Sequence, residues 1–187
     1  MSAARQESDL LALARAGDRQ AYGELVELHF ARMYSLLYRT TGNHEDAEDL
    51  AQETFVRAWA ALGRFREASS FSTWLTRIAL LLSNVPARGC SLRRSARLEE
   101  HEPAAAEGAG GPARAAQAEL AAATARALDC LPPRLRLALV LRVLEGREYG
   151  EVAELTGLRP ATVRTQVMQA RALLAHALAR WLPGGSE

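Results

Sequence analysis

Arg164, Thr165, Gln166, Gln169 and Arg171 fall on the outward side of a helical pattern running from Thr162 to about Arg180. Its inner side carries Val163, Val167, Ala170, Leu174 and Leu178. Arginine's forked donors match guanine O6 and N7, and a glutamine amide matches adenine N6 and N7, so this stripe suits base edges in a major groove. A short helix from Glu148 to Leu155 precedes it, then the turn Thr156-Gly157-Leu158, where glycine supplies the positive φ of a helix-turn-helix. Pro160 fits a first helical turn, where its missing N–H costs nothing. No acid lies between Leu155 and Ser186, whereas Arg159, Arg164, Arg171 and Arg180 do. A plain helical hairpin with a solvated polar face shares the spacing; the acid-free stretch and the glycine turn favour DNA.

Two other constellations invite chemistry. Asp46, Asp49 and Glu53 share one helical stripe, with Glu45, Glu48 and Gln52 beside them. Such a stripe either faces solvent or docks a basic partner helix. Phe65, Phe71 and Trp74 straddle a loop. They read either as core anchors or as a platform for unstacked bases of opened DNA. Arg64, Arg66 and Arg77 nearby, and Arg88, Arg93, Arg94 and Arg97 beyond, suit phosphates, although Arg88 to Arg97 equally suits a solvated junction.

Enzyme chemistry has little to stand on. Cys90 and Cys130 stand far apart with no CxxC motif, and His29, His44, His101 and His176 are scattered. Neither a zinc site nor a disulfide framework is expected, and no cofactor or catalytic residue. No apolar run is longer than Ile78 to Leu82, far short of the ~20 residues that cross a bilayer. The polar start, Met1 to Glu7, lacks the apolar stretch of a signal peptide, so a cytoplasmic protein is expected.

The elements that must position these residues are helices. The 187 residues include 37 Ala and 29 Leu against 8 Val and one Ile, and every one of the 23 basic residues is Arg. Helix formers swamp β-branched residues, which predicts an all-α fold. Ser8 is placed to cap a first helix ending at Ala16 before Gly17. Asp18 is placed to cap a second, to about Leu37, with Tyr22, Leu25, Val26, Leu28, His29, Met33, Leu36 and Leu37 on its apolar side. After Gly42-Asn43 a third helix runs from about Glu45 to Leu62; a fourth opens near Ser72 and stops near Pro86. From Glu99 to Ala118 no large apolar residue occurs, which reads as a tether. The expectation is two small helical domains, residues 8–92 and 120–182, joined by a flexible linker over 93–119. The net charge of +1 divides along the chain as −1 over residues 1–92, −1 over 93–119 and +3 over 120–187.

The order of these signals is more specific than any of them alone. Asp46-Ala-Glu-Asp-Leu-Ala-Gln-Glu-Thr-Phe-Val-Arg-Ala-Trp59 resembles the core-binding helix of bacterial sigma-70-family factors. Ser69 to Ala79 is similar to their promoter-melting segment, and Leu131 to Arg142 with Glu148 to Leu174 resembles their C-terminal helix-turn-helix. Two such domains and a tether are similar to the extracytoplasmic-function subgroup. The resemblance implies a transcription initiation factor, not an enzyme, whose partners are core RNA polymerase, promoter DNA and an anti-sigma factor. It implies that Asp46, Asp49, Gln52 and Glu53 meet polymerase. It implies that Arg64, Phe65, Phe71, Trp74 and Arg77 serve the −10 element, and that Arg159, Thr162, Arg164, Thr165, Gln166, Gln169 and Arg171 serve the −35 element. The chain departs from the family at Leu80-Leu81-Leu82-Ser83-Asn84-Val85-Pro86, where polar and basic residues are usual. That departure keeps a degenerate sigma-like interaction protein in view, beside a helix-turn-helix regulator acting without polymerase.

Overall fold

The structure, a computed structural model, describes residues 3–66, 68–83 and 112–181. They are helical, with no strand among the described residues. In the first unit α1 (Ala3–Arg15), α2 (Arg19–Thr41), α3 (His44–Ala61) and α4 (Phe71–Leu82) pack around one core, with a 3-10 turn at Leu62–Arg64. Local chemistry sets the boundaries. Asp18 caps α2, its carboxylate accepting from the N–H groups of Gln20 (2.8 Å) and Ala21 (3.1 Å). Gly42 ends that helix at φ 74°, and Asn43 caps α3 by accepting from Asp46 N–H at 3.0 Å. Ser70 caps α4 through Thr73 N–H.

Leu25, Met33, Leu36 and Leu37 of α2 are fully enclosed against Ala47, Ala51, Thr54 and Ala58 of α3. The small residues of α3 let the two helices approach closely, and each buried leucine contributes about 1.5–3 kcal/mol. The hydroxyl of Thr54 is satisfied by Leu50 O at 2.6 Å, so a polar atom sits in this seam without penalty. Leu28, assigned to the apolar side of α2, is 56 % exposed instead. It lies off the 25–29–33–36 line that meets the core.

The second unit consists of α5 (Pro112–Asp129), α6 (Pro133–Leu139) running into a π turn at Val140–Leu144, α7 (Tyr149–Thr156) and α8 (Pro160–Ala177). Its core joins Leu135, Leu139, Val140 and Leu141 to Val152, Val163, Val167 and Ala170. Gly157 ends α7 at φ 68°, and Pro160 opens α8, as the turn chemistry requires.

Two expectations at helix ends are corrected. Ser8 lies inside α1, which begins at Ala3, because Ala, Arg, Gln and Glu before it favour helix over a cap. α5 begins at Pro112, inside the stretch assigned to the tether: lack of large apolar residues argues against a core, but alanine is the best helix former. The remainder of that stretch, the Arg88–Arg97 cluster and Pro86 lie outside the described residues.

Candidate nucleic-acid and protein interfaces

α3 turns its small residues inward, which leaves its acids outside. Asp46, Asp49 and Gln52 are exposed together with Glu45 and Glu48, and Glu53 is half-buried. The capped N-terminus favours this charge, since carboxylates in a first turn meet the positive end of the helix dipole. Glu53 Oε1 accepts from Arg57 Nε at 2.6 Å, and Gln52 Nε2 donates to Glu48 Oε1 at 3.3 Å. An exposed i,i+4 pair of this kind contributes a few tenths of a kcal/mol and opens readily to a partner. The face is therefore a carboxylate surface with exchangeable internal contacts.

The aromatic trio divides between the two readings of it. Phe65 and Phe71 are each 2 % exposed, with ring centroids 5.7 Å apart. Trp74, half-exposed, packs 5.0 Å from Phe65 and 5.7 Å from Phe71. His29 closes the cluster from α2, edge-on to Phe71. Phe65 and Phe71 are thus core anchors, the first of the two readings of the trio, with their rings packed against one another, Trp74 and His29. Trp74 is the member of the trio that reaches the surface, and Arg64 and Arg77 are exposed as well. The apolar run that departs from the family divides at the end of α4: Leu80 is buried, whereas Leu81 is 77 % exposed.

In the second unit Arg159, Thr162, Arg164, Thr165, Gln169 and Arg171 are all exposed on or beside α8. Gln166 is not. It is 8 % exposed, because it shares the inward line of Val163, Val167 and Ala170 at i+3, i+4 and i+7. Its assignment to the base-reading face is corrected on that ground. Thr165 Oγ1 donates to Ala161 O at 3.1 Å and keeps acceptor capacity for a partner.

Sequence periodicity missed the groups that hold Arg164. Its guanidinium lies 5.3 Å from the centroid of the Tyr149 ring, and that of Arg142 lies 4.8 Å from the same ring. Tyr149 is anchored at the start of α7, where Glu148 N–H donates to the Glu151 carboxylate at 2.9 Å. The signal was present as Tyr149 directly after a capping glutamate, but nothing in a helical period brings Arg142 to it.

Residues 25–82 match the Sigma-70 region 2 family and residues 121–174 match Sigma-70, region 4. SigE of Mycolicibacterium smegmatis, an ECF RNA polymerase sigma factor, is 37 % identical over 169 residues, covering 88 % of this chain and 65 % of its own length. The Mycobacterium tuberculosis ECF RNA polymerase sigma factor SigM is 33 % identical over 174 residues, covering 93 % of this chain and 85 % of its own. Among solved structures, CnrH in complex with the cytosolic domain of CnrY is similar with a TM-score of 0.67 and 29 % identity, covering 94 % of this chain and 98 % of that one. Two helical units in this order, each matching its own sigma region, leave one conclusion: the chain belongs to the sigma-70 family of RNA polymerase sigma factors, in the ECF group.

Proposed function

We propose that this chain binds core RNA polymerase, carries it to specific promoters and helps to open them, as an alternative sigma factor without an enzymatic site of its own. The observation that carries the reading is the joint presence of an exposed carboxylate face on α3 and an exposed Arg/Thr/Gln face on α8, each within its own sigma region. Asp46, Asp49, Gln52 and Glu53 supply the polymerase contact. Arg159, Thr162, Arg164, Thr165, Gln169 and Arg171 serve the −35 element, the arginines through base edges or phosphates and Gln169 through an adenine-type contact. Trp74, with Arg64 and Arg77, meets the −10 element while Phe65 and Phe71 support it from beneath.

Activity of this kind belongs in the cytoplasm with the polymerase, and no helix among the described residues is long and apolar enough to cross a membrane. The likeness to CnrH, solved with the cytosolic domain of CnrY, supports regulation by a protein partner, and the family resemblance makes that partner an anti-sigma factor. Run-off transcription with purified core polymerase and a promoter library tests the reading. Initiation from a subset of promoters is the expected result. Failure to bind core leaves a stand-alone helix-turn-helix regulator, and binding without initiation at any promoter leaves a degenerate docking protein. Exposed Leu81, where the family carries polar residues, is the feature that favours this last outcome.

A further inference from the structure

Arg15 is the last residue of α1 and lies before the residues that match sigma region 2. The turn after it is tightly held. Gly17 adopts φ 99°, its N–H bonding to Ala14 O at 3.0 Å, and Asp18 N–H bonds to Leu13 O at 3.1 Å. α1 thereby packs against the 3-10 turn Leu62–Arg64, and the Arg15 side chain reaches the residue that follows it. Its Nη2 donates to the carbonyl oxygen of Phe65, and its guanidinium carbon lies 5.8 Å from the Phe65 ring centroid. One flat cation thus holds both the backbone and the side chain of the residue that leaves the 3-10 turn.

We propose that Arg15 is a positioning residue for promoter opening, acting through Phe65 on Trp74. Phe65 N–H closes the 3-10 turn on Leu62 O at 3.1 Å, and its carbonyl, leaving that turn, takes its hydrogen bond from the guanidinium. A charge-assisted bond here fixes the direction in which the loop departs. The Phe65 ring, held in the same grip, lies under Trp74 at 5.0 Å. The exit of the chain at Phe65 and the placement of the tryptophan therefore share one anchor outside the residues that match region 2. Arginine suits the task because it bonds with its fork edge and packs with its face; lysine offers a point charge and no flat face.

The inference rests on the proposed −10 role of this loop, and its test separates the two. Full-length wild type, Arg15→Ala and Arg15→Lys are each combined with core polymerase and a promoter selected by the wild-type holoenzyme. Measured are core affinity, thermal stability, permanganate reactivity of unpaired −10 thymines, and run-off from duplex and premelted templates. The expected result for R15A is at least a fivefold loss of open complexes with core affinity within twofold. R15K falls between R15A and wild type, and premelting restores run-off to within twofold. Unchanged opening in R15A overturns the inference, as does a loss of opening that premelting does not rescue. R15K controls for folding: if it melts like wild type yet opens promoters equally well, the inference is overturned even where R15A fails to fold. A wild-type protein that opens no promoter at all overturns the functional reading, and this inference with it.

Discussion

Arg164 is exposed and its side chain rests on Tyr149, so it enters an encounter with DNA already ordered. Ordering before binding lowers the entropy lost on contact. Arg164→Ala is expected to cost about 1–3 kcal/mol of discrimination at one base pair if it reads a base edge. Binding to a panel of single-substitution −35 duplexes measures this, and an unchanged preference order makes Arg164 a phosphate contact. Tyr149→Leu should weaken the same position by a smaller amount and have little effect in the R164A background. Gln166→Ala marks the contrast: truncating its buried side chain lowers the melting temperature while the base preference stays as it was.

His29 gives a residue-scale prediction of another kind. Burial pushes its pKa down, with Glu7 at 3.4 Å opposing that shift and Arg32 reinforcing it. Because the folded value lies below the unfolded one, the unfolded chain binds more protons in the window between them. Stability then rises with pH there and is lost as pH falls from about 6.5. Denaturant titrations between pH 7.5 and 5.5 should show this loss in wild type and a flatter profile in His29→Leu.

At the scale of elements, caps and turns decide where each helix can present its face. A methyl group added at Gly157 would meet nothing within 4 Å, so the cost of a side chain there is backbone conformation alone. At φ 68°, Gly157→Ala should destabilise the second unit by about 1–2 kcal/mol, with Gly157→Asn milder. Thermal melts and −35 affinity would fall together, since the turn sets the start of α8. Such turns were legible in the sequence because one residue type answers one backbone need: Asp18, Gly42, Asn43, Gly157 and Pro160 all stand where their chemistry put them. Ser8 and Pro112 were less legible, because alanine-rich segments extend a helix without any apolar stripe to announce it. The split between Trp74 and its buried neighbours Phe65 and Phe71 was beyond reach. Three aromatics near a loop look alike until tertiary packing chooses which of them is covered. Gln166 illustrates the same limit on a helix, one residue inside the boundary between polar and apolar faces.

For the whole molecule, charge is the property that the total hides. The chain is nearly neutral at +1, yet its acids crowd α3 and its second unit carries +3 over residues 120–187. On the proposed function the two surfaces answer to opposite partners, and they should be separable by mutation. Asp49→Lys with Glu53→Lys should weaken core-polymerase binding at least tenfold, because reversal turns attraction into repulsion across a basic docking surface. The −35 affinity of the same full-length variant should remain within twofold, since α8 is untouched. Equal loss of both, with a lowered melting temperature, would mean that the substitutions had damaged the fold and that the face was never tested. Salt supplies the complementary measurement. Duplex −35 binding should fall linearly in log–log form as salt rises, and Arg171→Ala should reduce that slope by about one if Arg171 neutralises a phosphate. The D49K/E53K variant should leave this slope where it is. A slope that moved with the acidic face would mean that the carboxylates act on DNA binding itself, and the division of labour between α3 and α8 would have to be abandoned.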